Sequence, residues 1–321
     1  WQPIVALMIV AGICLGASSV VYDSILNDIS AEADRDTVSS RGWALGYLGG
    51  GLLAANLVLL QFSESWGLST EQAVHISFAS AGLWWGLWTI IPFRGLFDRP
   101  PENVARVEGG LVRSSFGQLV HTLRDLRRYP QTLLFLIAYL FYNDGIQTVI
   151  ASAAVFGSRE LRLGETSLVL AILVVQFVAF FGALGLGRLA GRIGARRTIL
   201  GAIVVWGLVS LAGFVVPAGQ LLPFLLLSVA IGIVLGGSQA LSRSLYSTLV
   251  PRGMEAEYFC LYQAAERGTS WFGTLTCGLV FQLTGSYRYS IVALLVFFVV
   301  GFILLARVDV ARGIAEAGNE V

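Results

Sequence analysis

Nine apolar windows of bilayer-spanning length take up most of this 321-residue chain. Seven carry no charge, at residues 4–22, 43–62, 76–93, 167–187, 198–220, 221–242 and 289–306. Two more, 132–157 and 259–286, are apolar except for Asp144 in the first and the neighbours Glu266 and Arg267 in the second. A helix crosses a bilayer with about 20 apolar residues. Hydrocarbon cannot satisfy an unpaired backbone, so the windows predict transmembrane helices. The expected fold class is an all-α polytopic membrane protein with nine spans. The composition agrees, at 56% hydrophobic and 13% charged residues. A charge inside such a span is expensive, so the three exceptions point toward a transport pathway.

Orientation follows from arginine. The chain has no lysine, and its 21 basic residues are all Arg. One side of the predicted topology holds only Arg159, Arg162 and Arg288, and Arg267 lies inside the eighth window; the other 17 sit after windows one, three, five and seven or in the tail. Under the positive-inside rule that side, with the C-terminus, is cytoplasmic. The absence of lysine points to a GC-rich bacterial genome and so to a plasma membrane.

The chain opens on Trp1, already entering a span, with no charged leader or small-residue cleavage site, and no signal peptide is expected. An internal repeat suggests that helices precede it. Gly12-x-x-Leu15-Gly16-x-Ser18 recurs as Gly232-x-x-Leu235-Gly236-x-Ser238, an offset of 220 that also pairs Asp23 with Arg243 and Ser24 with Ser244. The following spans open alike, Arg41-Gly42 against Arg267-Gly268. Windows one and seven, and two and eight, are thereby matched six apart, as in carriers built from parallel repeats. On that count three N-terminal helices are missing. Close packing also selects small residues, which gives a plainer source for the glycine matches.

Residues 94–131 form the longest polar stretch, with seven Arg, Pro100-Pro101 and Gly109-Gly110, signs of a linker. Within it Val112, Phe116, Leu119, Val120, Leu123 and Leu126 recur at helical spacing beside Arg113, Arg124, Arg127 and Arg128. That pattern predicts an amphipathic helix on the inner membrane face, with lipid as its partner. The expected domains are 1–93, three helices of an N-terminal bundle; 94–131, the linker; and 132–321, a C-terminal six-helix bundle.

The segment after the fifth window carries Gly187, Gly191, Arg192, Gly194, Arg196 and Arg197. Glycines permit a tight turn there, and the arginines can meet lipid phosphate or the carbonyl ends of neighbouring helices. It resembles the cytoplasmic loop signature of the major facilitator superfamily: Gly, three residues, Asp, a basic residue, any residue, Gly, then basic residues. Gly191 stands where the family has Asp. Further strings resemble the branch related to autophagy's vacuolar amino-acid effluxers and their bacterial counterparts. They are residues 22–28, 41–51, 141–145, 236–243 and 266–271. The resemblance implies a two-bundle carrier, working as a monomer when complete, that moves amino acids or similar small solutes by alternating access.

Other chemistry finds little support. His75 and His121 are the only histidines, and Cys14, Cys260 and Cys277 lie in separate spans without ligand spacing. Neither a metal site nor a catalytic triad is expected, and no cofactor. No phosphate-binding GxxxxGK[ST] loop occurs, so transport energy comes from a gradient or a partner subunit. A net charge of +1 gives no case for nucleic acid. The alternative class is a membrane-embedded enzyme or assembly subunit keeping a carrier-like fold. It would need converging nucleophiles, metal ligands or a soluble catalytic domain.

Three sets of candidate residues follow. Asp23, Asp28 and Arg41 from one half, with Arg243, Glu266 and Arg267 from the other, lie near the inner face. There opposite charges should pair as a gate, or else tie helices within each half. A polar solute pathway is expected from Ser238, Gln239, Ser242 and Tyr246, at helical spacing, with Gln176. Asp144 falls about 12 residues into its span, ~18 Å deep by helix rise, with Tyr139, Asn143 and Gln147 as a polar stripe and Tyr142 within reach as a donor. An anion there is costly, so Asp144 is the candidate for carrying a proton. The alternatives are a carboxylate capping a break at Gly145 and one paired with a basic group.

Overall fold

The computed structural model describes residues 2–96, 111–267 and 270–319. Among these, every regular element is helical. The helices are α1 (Gln2–Ser24), α2 (Leu26–Ile29), α3 (Arg35–Tyr47), α4 (Gly49–Phe62), α5 (Thr70–Gly95), α6 (Leu111–Asp125), α7 (Pro130–Val155) and α8 (Glu165–Ile193). They continue as α9 (Ala195–Val215), α10 (Leu221–Leu249), α11 (Glu255–Arg267), α12 (Ser270–Thr284), α13 (Tyr287–Ala293), α14 (Leu295–Ala306) and α15 (Val310–Glu316).

Eight of the nine expected spans are long, apolar helical stretches among the described residues: Gln2–Ile29, Glu32–Phe62, Thr70–Gly95, Pro130–Glu160, Glu165–Ile193, Ala195–Val215, Leu221–Leu249 and Tyr287–Ala306. The ninth window, 259–286, contains α11, described to Arg267, and the apolar α12, described from Ser270 on.

Apolar side chains cover the outside. Ile4, Leu7 and Met8 of α1, and Leu83, Trp85 and Phe93 of α5, are exposed, as hydrocarbon-facing surfaces can be and water-facing ones rarely are. The core lies among α7 to α14, around Phe135, Ile146, Ile203, Trp206, Leu241 and Phe298. Its tightest seam joins α8 to α10. A Cβ added at Gly182 would stand 2.3 Å from the Ile233 carbonyl oxygen, and one at Gly236 2.7 Å from that of Ala179. Small residues here let two backbones touch, the packing rule of membrane interiors. Gly236 is thus a packing residue, while its repeat counterpart Gly16 meets nothing within 4 Å.

The first helices reach the rest of the molecule chiefly at its Arg-rich end, with Gly50 of α4 also packed on Gln176 midway along α8. At the Arg-rich end α3 lies across α8 and α10, and α1 packs on α11. Under the sequence repeat, α1 corresponds to α10, and the stretch beginning with α3 to α11. The contact of α1 with α11 is therefore the counterpart of α10 with α3.

The polar linker contains α6 at the expected amphipathic stretch. Arg99, Arg106, Pro100, Pro101, Gly109 and Gly110 lie outside the described residues, as do Gly268 and Thr269. The helix docks by its polar side. Gln118 donates to Glu257 Oε1 at 2.5 Å and Thr122 donates to Oε2 at 2.6 Å. Leu119, Val120 and Leu123 are left exposed, an arrangement that suits a membrane surface better than water.

Candidate functional site

Two chain segments far apart in sequence meet at Asp23 and Arg243. Asp23 is 5% exposed and Arg243 3%, with Arg243 Nη1 standing 3.4 Å from Asp23 Oδ1. The guanidinium also lies over the Tyr22 ring, 4.4 Å from its centroid. Charge attraction and the ring hold it on this side. Its Nε and Nη1 have no hydrogen-bond partner among the described residues. A buried donor left unmet costs about 1–3 kcal/mol, so this pair is short of its best geometry.

Further contacts cross the same seam. Ser39 donates to the Ala240 carbonyl at 2.7 Å, Ser244 to Asp36 at 2.6 Å, and Arg35 to the Ser247 carbonyl at 3.3 Å. Asn27 also donates to the Ser247 carbonyl, at 3.3 Å. Asp23 with Arg243 and Asn27 with Ser247 are both repeat-related pairs, 220 positions apart. Residues exchanged by a twofold rotation can touch only where the axis passes between them. These contacts therefore fit a pseudo-twofold running between α1 and α10.

Gln263 of α11 connects this seam to the interior. Its Oε1 accepts from Arg267 Nε at 3.0 Å, and a guanidinium can only donate, so the NH2 group must face the other way. That group donates to Asp23 Oδ2 at 2.6 Å and to Glu266 Oε2 at 3.3 Å. Arg267 also reaches Ser19 on α1, at 3.2 Å. Glu266 in turn accepts from Tyr139 at 3.2 Å. Asn143 donates to the Glu266 carbonyl at 3.2 Å and accepts from Gln239 at 2.8 Å and from Gln147 at 3.5 Å. Tyr142 pairs with Ser242 at 2.6 Å. Side chains of α7, α10 and α11 thus form one buried polar chain leading to the α1 seam. Tyr139 is fixed by stacking on Tyr262, centroids 4.3 Å apart.

Asp144 stands apart from that chain. Its Oδ2 accepts the Gly273 N–H of α12 at 2.8 Å. Its Oδ1 is buried without a hydrogen-bond partner among the described residues. A Cβ at Gly273 would sit 2.2 Å from Thr148 Oγ1, so glycine is what lets α12 approach the carboxylate. The expected Tyr142 donor is absent, because two positions along a helix is the wrong face and Ser242 takes that hydroxyl. The alternative of a carboxylate capping a break at Gly145 is not met, because Gly145 continues α7.

Several expected pathway residues lie elsewhere. Tyr246 donates to the Tyr258 carbonyl at 2.8 Å, an internal clamp on α11. Ser238 donates within its own helix to Val234 at 2.6 Å and accepts from Trp206 at 3.4 Å. Gln176 packs against Gly50 and lines an apolar cavity of about 160 Å³ with Ser228 and Phe224. Asp28 and Arg41 are exposed and do not join the Asp23 pair. In the loop motif, Gly187 brings α8 onto α3, where a Cβ would stand 2.5 Å from Ser40 Oγ. Gly194 turns the chain at φ +89°. Arg196 donates to the carbonyls of Leu305 and Ala306 at the end of α14, while Arg192 and Arg197 are exposed. Sequence reasoning missed Gln263, whose position three residues before Glu266 and four before Arg267 is the helical spacing that signals it. It also missed Asp36 and Ser39, which lie outside the apolar windows.

Comparison with known proteins agrees with this architecture. The profile of the family described as "Vacuole effluxer Atg22 like" matches residues 27–318. The uncharacterized MFS-type transporter YxiO of Bacillus subtilis is 32% identical over 326 residues, covering 100% of this chain and 75% of that protein. Autophagy-related protein 22 of Kluyveromyces lactis is 28% identical, over 98% of this chain and 69% of its own length. Autophagy-related protein 22 of Yarrowia lipolytica is 31% identical, over 94% and 56%. Against other relatives, such as autophagy-related protein 22-1 of Neosartorya fischeri, the chain spans about half the relative's length, 49%.

Proposed function

Because this chain belongs to the Atg22-like vacuole effluxer family, a branch of major-facilitator transporters, we propose that it moves a small solute across its membrane by alternating access. Amino acids are the proposed solute class, on the resemblance of residues 22–28, 41–51, 141–145, 236–243 and 266–271 to the amino-acid effluxers. The Arg-rich end faces the cytoplasm, the C-terminus with it, and a bacterial plasma membrane is the proposed location. Residues 1–93 belong to one bundle and 132–321 to the other, joined by the linker 94–131.

One observation carries the proposal. The buried Asp23–Arg243 pair spans the seam between the two bundles and continues, through Gln263, into a polar chain inside the second bundle. Helices that never part would be better served by apolar packing, since a buried ion pair gives little stability over an apolar replacement. An interface that opens to water needs charges whose exposure is favourable, and this pair supplies them. Tyr139, Tyr142, Asn143, Gln147, Gln239 and Ser242 are the proposed solute-facing groups. Proton coupling belongs in the reading through Asp144, whose partnerless Oδ1 makes the anion costly where it sits.

Proteoliposome uptake with a panel of labelled amino acids tests this. The wild type should accumulate at least one of them against its gradient when a pH gradient is imposed. Asp144→Asn should keep solute exchange at equal pH and lose accumulation. An Asp144→Asn protein that is inserted and accumulates solute normally would remove Asp144 from coupling. A wild type that carries no amino acid would remove the solute class.

A further inference from the structure

Gln263 holds two carboxylates at once with one NH2 group: Asp23 of α1 at 2.6 Å and Glu266 of its own helix at 3.3 Å. The amide cannot rotate to relieve them, because Arg267 occupies its carbonyl at 3.0 Å. Asp23 is also the partner of Arg243 across the seam. The charge on Glu266 is therefore felt, through one rigid amide, at the contact that closes the Arg-rich end.

We propose that Glu266 is a proton-carrying group of the transport cycle and that Gln263 transmits its charge to the Asp23–Arg243 gate. This deepens the transporter reading and rests on it. The groups facing Glu266 define the balance. From α7 come the hydroxyl of Tyr139 and the amide of Asn143; from α10 comes Arg243; from α1 comes Asp23; and on α11 itself lie Tyr262, Gln263 and Arg267. Two cations and two carboxylates balance when Glu266 is ionised. In that state the two anions repel in a low-dielectric setting and compete for the same N–H donors, which loosens Asp23. Protonation adds one H+ to a Glu266 oxygen and removes the repulsion. Gln263 is then free to serve Asp23 alone, and the gate tightens. A neutral Glu266 thus favours the closed Arg-rich end, and an ionised one favours its opening. Because Glu266 lies beside Tyr139 and Asn143, solute entering that chain would meet the group that sets the gate.

Spin labels attached at Ile29→Cys on α2 and Arg252→Cys beyond α10, with Cys14, Cys260 and Cys277 replaced by alanine, report the separation of the two bundles. Distances are taken in lipid discs from mildly acidic to mildly alkaline pH. The proposal expects a shift to longer separations as pH rises. Glu266→Gln should stay short across the range. Gln263→Leu should lengthen the distance even at acidic pH, and Gln263→Asn, which keeps an amide, should sit between it and the wild type. A wild-type distribution that moves between short and long forms with added amino acids but not with pH would overturn the role of Glu266 alone. So would a Glu266→Gln profile matching the wild type, or Asp144→Asn abolishing the pH response while Glu266→Gln preserves it. A single fixed distance under every pH and every amino acid would overturn the alternating-access reading together with it.

Discussion

At the residue scale, Arg243 shows how charge is managed inside this protein. It is 3% exposed, faces Asp23 at 3.4 Å and the Tyr22 ring at 4.4 Å, and leaves Nε and Nη1 without hydrogen bonds among the described residues. Asp23→Asn should therefore cost on the order of 3–5 kcal/mol, the usual penalty for stranding one member of a buried ion pair. Replacing both partners by apolar residues, Asp23→Leu with Arg243→Met, should cost much less and lose transport. Thermal unfolding of the purified protein, read beside uptake, separates the two quantities. Stability falling equally in the single and double variants would mean that the pair acts by shape rather than charge. The members of this pair were readable from sequence, because charges beside apolar windows are few and the repeat aligns them. Their shared partner Gln263 was not, since an uncharged amide leaves no mark on hydropathy or charge pattern. Asp144 was legible as an exception and misread in its surroundings, because what lies across from a helix depends on packing that periodicity does not report.

At the scale of elements, close backbone approach organises the core among α7 to α14. Gly182 sits where a Cβ would come within 2.3 Å of the Ile233 carbonyl oxygen, an atom of the backbone that cannot swing aside, whereas Gly201 on α9 meets nothing within 4 Å. Gly182→Ala should therefore destabilise by about 1–3 kcal/mol, the typical cost of overpacking. Gly201→Ala should be neutral or stabilise by up to ~1 kcal/mol, through helix propensity alone. Melting temperatures of both variants in one detergent check this, and equal shifts would contradict the α8–α10 seam. Most elements were legible, since runs of some 20 apolar residues leave few options in lipid. What the window at 259–286 could not report is that Asp144 of α7 accepts the Gly273 N–H within it. The amphipathic α6 was placed correctly, but its docking onto Glu257 needed the position of α11.

At the scale of the whole molecule, α1 and α3 meet α8, α10 and α11 at the Arg-rich end through contacts that follow the internal repeat. The sequence offset of 220 becomes a physical contact at Asp23–Arg243 and Asn27–Ser247. The α1–α11 contact has its counterpart in α3–α10. Such an interface can carry solute only if it opens and closes. Ser39 of α3 donates to the Ala240 carbonyl of α10 at 2.7 Å, so cysteines at these two positions, in a chain with Cys14, Cys260 and Cys277 replaced, would bolt the seam shut when oxidised. Uptake of a carried amino acid into proteoliposomes, measured before oxidation, after it and after reduction, tests the central claim most directly. Alternating access predicts transport that is lost on oxidation and regained on reduction. Transport that continues at its full rate with the disulfide formed would contradict it.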